Sequence, residues 1–279
     1  MSVDLTANAI ASFEDDVKHD YQGMGLLRAT VRQKRKVVGS THRFNKIGKG
    51  TATPRIPQTD VVPMNVGHSN ATATLADWNA PEYTDIFDQA EVPYDEKSEL
   101  SMTLAGAIGR REDQLIIDAL DAAQGSFEVA KAIGGTDTGL NTAKCRRAKQ
   151  LLDSAGVPGG DRTFLAHAIG LEQMLGETDA TSSDFNTVKA LVDGELNTWL
   201  GFNFKFIETR DEGGLTLASN SRTNFAYHRP SCGIAYGISE RTEVNYIPEK
   251  TSWLANSLFK AGSVAIDAAG IIEVETHEA

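Results

Sequence analysis

The chain has 279 residues, of which 41% are hydrophobic and 25 are glycine, and 27 basic against 38 acidic side chains give a net charge of −11. That composition allows a well-buried core and excludes a disordered chain. No apolar run reaches the roughly 18 residues of a membrane span, and acids among the first residues argue against a secretory signal. Two cysteines far apart in sequence predict neither a disulfide framework nor a metal knuckle, so a reducing compartment is expected.

Charged residues are distributed unevenly along the chain. No acid occurs in 22–57, where nine bases stand, whereas 60–99 holds nine acids and a single lysine. A basic stretch followed by an acidic one predicts pairing within one hairpin or between copies of the chain, and both alternatives remain open. The net negative charge, with Phe44 as the only aromatic among these bases, disfavours a nucleic-acid coat, which draws its affinity from cations.

The N-terminus is predicted to be a short amphipathic arm. Ile10, Phe13, Val17 and Tyr21 recur at helical spacing and form a narrow apolar stripe, which ends at Gly23. A helix with so thin a stripe is expected to lie across another surface, such as a neighbouring subunit.

Residues 28–92 are predicted to form an extended hairpin. Strand-forming residues occupy 41–47 and 70–77, a stretch rich in glycine and proline lies between them, and a further extended run is predicted over 83–92. So few large aliphatic side chains cannot build a core of their own. The hairpin is therefore expected to reach onto a partner.

One long amphipathic helix is predicted over 98–123. Its apolar residues recur on one face, Asp95 or Ser98 supplies the N-cap, and Gly125 ends it. About 26 residues at 1.5 Å each give a rod of roughly 39 Å. The residues expected to face a sheet made by the closing strands are Leu104, Ile108 and Leu115.

Residues 127–236 alternate like a compact α/β unit, and the last forty residues read as strands. The predicted elements of the unit are a helix capped by Asn141 and followed by Gly156, a buried strand from Thr163, a helix from Ile169 to Leu175, a helix between Asp184 and Gly194, a half-buried strand with Phe202, Phe204 and Phe206, a strand from Asn224 to Tyr227, and a short helix opened by Pro230. The closing strands, over 242–247, 253–266 and 271–276, predict an antiparallel meander.

No motif for nucleotide binding, nucleophilic catalysis or metal binding occurs in the sequence. Cys145 shares a helix face with Ala148 and Leu152, which predicts a buried core residue and not a reactive thiol. The run 110–113, two arginines followed by glutamate and aspartate, is interpreted as ion pairs along one helix flank, with a phosphate clamp as the alternative. No catalytic residue, cofactor or metal is assigned, and no enzymatic activity is expected.

The order of these elements resembles that of tailed-phage major capsid proteins of the Hong Kong 97 type. In sequence the resemblance is concentrated in Leu26-Leu-Arg-Ala-Thr-Val, in Arg43-Phe with Gly48, and in Ala105-Gly-Ala-Ile-Gly-Arg-Arg-Glu-Asp-Gln-Leu-Ile-Ile-Asp-Ala-Leu. By element order it covers essentially the whole chain. It implies an α+β fold with an N-terminal arm, an extended E-loop β-hairpin, a peripheral domain of spine helix and antiparallel sheet, and an α/β axial domain.

The resemblance also implies boundaries, a function and partners. The boundaries are 1–27 for the arm, 28–75 for the E-loop, 76–125 and 237–279 for the peripheral domain with its spine helix 98–123, and 126–236 for the axial domain. The implied function is structural: hexamers and pentamers of the chain would form an icosahedral virion shell around double-stranded DNA, after assembly in the host cytoplasm. Implied partners are further copies of the chain, a separate scaffolding protein, a portal and a decoration protein, with no membrane.

Contacts between subunits are expected where the basic stretch of one copy meets the acidic stretch of the next. The candidate contact residues are Arg35, Lys36, Arg43, Lys46, Lys49, Glu82, Asp85 and Asp88. Two alternatives remain open for the function. An encapsulin-like nanocompartment would use the same fold to enclose protein, and an α/β enzyme without a recognisable motif would belong to a different class.

Overall fold

The computed structural model describes residues 23–91, 95–123, 127–177 and 198–278. In chain order the strands are β1 (Arg32–Lys34), β2 (Thr41–Ile47), β3 (His68–Thr74), β4 (Ala76–Asp85), β5 (Glu128–Val129), β6 (Arg162–His167), β7 (Thr198–Trp199), β8 (Phe202–Ile207), β9 (Leu217–Ala218), β10 (Ser221–His228), β11 (Cys232–Ile247), β12 (Ser252–Ala265) and β13 (Ile271–His277). The helices are α1 (Ile86–Glu91), α2 (Glu96–Asp121), α3 (Thr142–Ser154) and α4 (Ala168–Leu175). The arm helix predicted before Gly23 and the helix predicted between Asp184 and Gly194 lie outside the described residues.

The long helix predicted from the apolar stripe is present as α2 and spans 26 residues. It begins two residues earlier than predicted, with Asp95 at the N-cap position, and the predicted stop, Gly125, lies outside the described residues. The helix contacts β4, β11 and β12, so it lies along the sheet that these strands form. The expected rod is therefore confirmed.

The buried face of α2 differs slightly from the predicted one. Leu104 and Ile108 are buried as expected, whereas Leu115 is only half-buried. Ile116, the next residue, is completely buried in the core. The buried face is thus the predicted one in the first half of the helix, and in the C-terminal half, which packs against strands of both large sheets, it passes through Ile116 and not Leu115.

Truncating Ile116 tests this assignment of the buried face. Ile116→Ala is expected to lower the free energy of unfolding by about 2–5 kcal/mol, because it removes buried methylene groups and leaves a cavity. Met102→Ala on the same helix is the matched control: the side chain of Met102 is exposed, so a change within about 0.5 kcal/mol is expected. Denaturant unfolding of both variants provides the measurement, and equal losses would contradict the assignment.

A four-stranded sheet has the order β1-β11-β12-β4. β12 runs antiparallel to both of its neighbours, and β1 runs parallel to β11. The predicted strands over 242–247 and 253–266 are confirmed, although the first is the end of a strand of 16 residues. Two irregularities in the pairing of β11 with β12, between Tyr236 and Arg241, bend this long strand.

The extended run predicted over 83–92 is wrong beyond Asp85. Residues Ile86–Glu91 form the short helix α1. The Asp85 carboxylate accepts a hydrogen bond of 2.8 Å from the backbone N–H of Phe87, in the manner of a helix cap. The prediction failed because the aromatic and β-branched residues around Asp85 favour a strand, whereas Asp85 itself is a residue that begins helices.

A seven-stranded sheet has the order β5-β13-β10-β6-β8-β7, with β9 paired to β10. All six residues of β6 are buried, because both of its faces are covered. Leu165 belongs to the core cluster on one face, and Phe164 belongs to a second cluster on the other face, which includes Leu152 of α3. β6, the half-buried β8, α4 and the Asn141 cap of α3 all agree with the predictions.

The predicted three-stranded meander is wrong in its last strand. β13 pairs with β10 in antiparallel orientation and with β5 in parallel orientation, and it makes no ladder with β12. The chain changes sheets at a short turn, where the side chain of Asp267 accepts a hydrogen bond from the N–H of Ala269. The described part of the predicted segment 237–279 is therefore divided between the two large sheets, and the domain boundaries stay a prediction.

β2 and β3 form a separate hairpin of seven residue pairs, from Thr41 opposite Thr74 to Ile47 opposite His68. The predicted hairpin is confirmed, and β3 begins two residues earlier than expected. Phe44 is buried at its root against Ala235 of β11, which fixes the hairpin on the four-stranded sheet. The connecting residues 48–67, called here the hairpin loop, contain neither helix nor strand.

Candidate subunit interface and arm root

The hairpin loop exposes large apolar side chains. Val61 and Val62 are 89% and 69% exposed, and Ile56 and Met64 are also exposed. A surface of this kind is typical of a segment that another molecule covers. The loop therefore fits the prediction that the hairpin reaches onto a partner.

Two of the predicted contact bases are engaged within their own chain. Lys46 Nζ lies 2.7 Å from Asp267 Oδ1, and Lys49 Nζ donates a hydrogen bond of 3.4 Å to the carbonyl oxygen of Ala155. Both line a cleft of about 500 Å³ between the end of the hairpin and the body of the chain. These two contacts join the hairpin to the body of its own chain. The positive charge of the two lysines could not predict them, because it does not identify the partner.

The other three predicted bases stand on the surface. Arg35 and Lys36 are exposed in the turn after β1, where Arg35 Nη2 donates a hydrogen bond of 3.2 Å to Gln33 Oε1. Arg43 is exposed on β2, opposite Thr72 of β3. These cations remain accessible to a second molecule.

The predicted acids surround an aromatic patch that sequence reasoning missed. Glu82 and Asp85 lie near the end of β4, and Asp88 is exposed on α1. Between them Phe87 is 71% exposed and Tyr83 is 43% exposed. The available signal in the sequence was the presence of Tyr83 and Phe87 among the acids of this stretch, which was predicted only to be extended. Residues 82–88 are called the aromatic–acidic patch below.

Residues 23–31, called here the arm root, are fastened to α2 by buried polar contacts. The Asp113 carboxylate accepts hydrogen bonds of 2.9 Å from the backbone N–H groups of both Leu26 and Leu27. Arg210 Nη2 donates to the same carboxylate at 2.8 Å, and Arg110 donates at 3.3 Å to the carbonyl oxygen of Gly23. Asp113 is completely buried, so these contacts form without competition from water.

A close approach of two glycines completes the arm root. A Cβ atom added to Gly109 would lie 2.7 Å from the backbone nitrogen of Gly25, and one added to Gly25 would lie 3.0 Å from the carbonyl oxygen of Gly109. Neither backbone has room for a side chain at the other. The two glycines therefore let the chain pass directly over α2.

Glu112 is buried beside these contacts. The hydroxyl of Tyr236 donates a hydrogen bond to Glu112 Oε1, and Arg28 Nε lies 3.5 Å from the same oxygen. Burial raises the pKa of Glu112 to about 7; Arg28 opposes this rise, and the neighbouring Asp113 adds to it. Burial also raises the pKa of Asp113, against the effect of its hydrogen bonds from Leu26 and Leu27 and from Arg210.

The interpretation of 110–113 as ion pairs along one helix flank is therefore wrong. Each of the four side chains contacts a distant part of the chain: Arg111, for example, lies over the ring of Trp78 at 3.6 Å and pairs with Glu212 at 3.5 Å. The run joins the helix to the arm root, to β11 and to β4. Helical spacing alone could not show this, because the partners come from elements far away in sequence.

Three further kinds of site were considered in the part of the chain that the structure describes: a reactive cysteine, a metal site and a membrane-spanning helix. Cys145 is buried in α3, and burial raises the pKa of its thiol to about 12, which confirms the predicted core residue. Across the four described ranges, no group of three or more His, Cys, Asp or Glu side chains is placed to hold a metal ion. A helix with the length and apolar character of a membrane span does not occur among the described helices.

A family model described as phage capsid protein matches residues 5–278. The chain belongs to the phage capsid protein family. It is accordingly a structural major capsid protein, and the matches give no support to an encapsulin-like compartment or to an enzyme. None of the curated protein sequences matches this capsid protein significantly.

Solved capsids share the fold of this phage capsid protein. The capsid of the cyanophage P-SCSP1u superposes with a TM-score of 0.78 at 14% identity, over 98% of this chain and 94% of that one. The head of the Helicobacter pylori bacteriophage KHP40 superposes with a TM-score of 0.79 at 9% identity, over 99% and 98% of the two chains. The predicted Hong Kong 97-like α+β fold is confirmed.

The two sequence segments that carried most of the resemblance meet in this capsid protein. Leu26 and Leu27 of the first segment donate their backbone N–H groups to Asp113 of the second, and Gly109 of the second segment contacts Gly25, just before the first. What looked like two separate motifs is thus one contact between the arm root and the spine helix α2.

Proposed function

We propose that this capsid protein assembles as hexamers and pentamers of an icosahedral shell around double-stranded DNA, with the hairpin of one copy lying on the aromatic–acidic patch of the next. The observation that carries the proposal is the exposed hairpin loop of a chain in the phage capsid protein family. The hairpin loop has twenty residues, nineteen of which are exposed, and the large apolar side chains among them contribute little to the stability of a single folded chain. Burial against a neighbouring copy supplies the missing contacts.

The two surfaces match in chemistry. The hairpin carries Arg43 and Arg55 together with exposed aliphatic side chains, and the patch carries Asp85 and Asp88 around the exposed ring of Phe87. Aliphatic side chains meeting an aromatic ring bury apolar area, which supplies most of the affinity. The opposite charges at the rim set the orientation and suppress wrong pairings.

The proposed ion pairs between hairpin and patch contribute to assembly through their number. One exposed ion pair contributes only about 0.2–1 kcal/mol, but every copy in a shell repeats it, and salt screens it. The cations proposed for this contact are Arg43 and Arg55 of the hairpin together with Arg35 and Lys36 from the turn before β2, because Lys46 and Lys49 are occupied by Asp267 and by Ala155 in their own chain.

Charge reversal tests this contact. Arg43→Glu combined with Lys36→Glu is expected to leave the subunit folded and to weaken particle formation, most strongly at low salt, since it replaces attraction to the patch by repulsion. Adding Asp85→Lys and Asp88→Lys is expected to restore part of the assembly. Circular dichroism and sedimentation of the same samples provide the measurement.

Lys205→Glu is the matched control for this experiment, because Lys205 is an exposed cation on β8, away from the hairpin. The control is expected to form particles normally. Normal particle formation by the double reversal at physiological salt would contradict the charge contact while leaving the shell function intact.

The proposed DNA content suits a net charge of −11. An acidic wall binds DNA weakly, so it does not resist the movement of DNA into the shell.

We assign a scaffolding protein, a portal and a decoration protein as further partners, and assembly in the host cytoplasm, on the strength of the family resemblance. Electron microscopy of purified particles, with the ratio of nucleic-acid to protein absorbance, tests the proposal: particles filled with protein and no nucleic acid would contradict it.

A further inference from the structure

Glu112 joins three parts of the chain at the arm root. Its carboxylate lies on α2, accepts a hydrogen bond from Tyr236 of β11, and faces the guanidinium of Arg28. Arg28 in turn pairs with Glu240 at 3.4 Å and lies 5.3 Å from the centre of the Tyr236 ring. Leu26 and Leu27 of the same segment donate to Asp113, the residue after Glu112 on α2, so the two adjacent carboxyl groups contact neighbouring parts of the arm root.

We propose that Glu112 and the arm root form a proton-operated latch. When Glu112 is protonated, residues 23–31 are held closed against α2 and β11; when Glu112 is ionised, the segment loosens.

The groups that face Glu112 explain why its charge is costly here. Asp113 on α2 and Glu240 on β11 are like charges, and they are opposed by Arg28 in the arm root and by Arg35 after β1. Arg28 is 34% exposed, so water screens part of its attraction, whereas the carboxylate itself is almost fully buried. A neutral Glu112 can keep its hydrogen bond with Tyr236 without bearing the cost of desolvation.

The direction of the pH effect follows from linkage. The folded-state pKa of Glu112, about 7, lies above the ordinary value of 4.5 for a glutamate. A carboxyl group whose pKa is raised in the folded state stabilises that state fully at a pH below its pKa in the unfolded chain. This stabilisation is lost as the pH rises through the pKa in the folded state. The closed latch is therefore favoured at mildly acidic pH, and its population relative to the loosened state is expected to fall by up to about tenfold for each pH unit between about pH 5 and about pH 7.

Hydrogen exchange of the full-length chain tests the latch. The backbone amides of Leu26 and Leu27, which donate to Asp113, are followed from about pH 5 to about pH 8 and corrected for the intrinsic exchange rate. Their protection is expected to fall with rising pH in the wild-type chain. In Glu112→Gln, a neutral side chain of the same shape, it is expected to stay high and independent of pH.

Two controls keep the test specific. Glu243→Gln changes an exposed glutamate on β11 that pairs with Arg241, and it is expected to behave like the wild type. The amide of Ile116 in α2 reports on the rest of the fold and is expected to stay protected throughout. The latch is overturned by protection of Leu26 and Leu27 that does not change with pH, by a wild-type slope in Glu112→Gln, or by a parallel loss of protection at Ile116.

Discussion

Replacing Val61 and Val62 with aspartate is expected to abolish particle formation while the subunit stays folded. Both side chains are exposed in the single chain, so the fold does not depend on them. In the proposed shell they are buried on a neighbouring copy, and placing unpaired carboxylates there costs several kcal/mol at every contact. Sedimentation is expected to show only unassembled subunits, with a circular dichroism spectrum like that of the wild type.

Conservative replacement separates the loss of apolar contact from a change in shape. Val61→Thr with Val62→Thr keeps the branched side chains and adds no charge, so it is expected to weaken assembly without abolishing it. Normal particles from the aspartate variant would show that the hairpin loop faces water in the shell. That result would contradict the proposed contact but not membership of the phage capsid protein family.

Asp113→Asn is expected to lower the free energy of unfolding by about 3–5 kcal/mol. The change removes the negative partner of the buried Arg210 and turns one acceptor into a donor beside the N–H groups of Leu26 and Leu27. Glu208, 3.4 Å from Arg210, compensates for part of the loss. Denaturant unfolding is the measurement.

Asp118→Asn is the matched control on the same helix. Asp118 is exposed and accepts a hydrogen bond from Gln114 only one turn away, so a change within about 0.5 kcal/mol is expected. If Asp113→Asn had an equally small effect, the arm root would have to be held by its apolar residues alone. Leu27 and Val31, which are completely buried, would then be the residues to truncate.

Several elements could be predicted from the sequence because their signals are local. The stripe of α2 repeats at helical spacing over 26 residues, and Asn141 accepts the hydrogen bond from the N–H of Lys144 that a helix cap requires. The hairpin of β2 and β3 was visible because strand-forming residues flank a stretch rich in glycine and proline. Periodicity and capping depend on neighbours within a few residues, and those neighbours are known from the sequence.

The α2 rod, the hairpin and the separation of basic from acidic residues follow from the order of the amino acids alone. Three other features depend on how the chain packs: the pairing of β13 with β10, the ion pair of Lys46 with Asp267 within its own chain, and the binding of the arm root by Glu112 and Asp113. These partners lie far apart in sequence, and neither periodicity nor charge carries information about which distant backbone will lie beside a side chain. Packing selects them, because a buried carboxylate must find its donors wherever the folded chain places them.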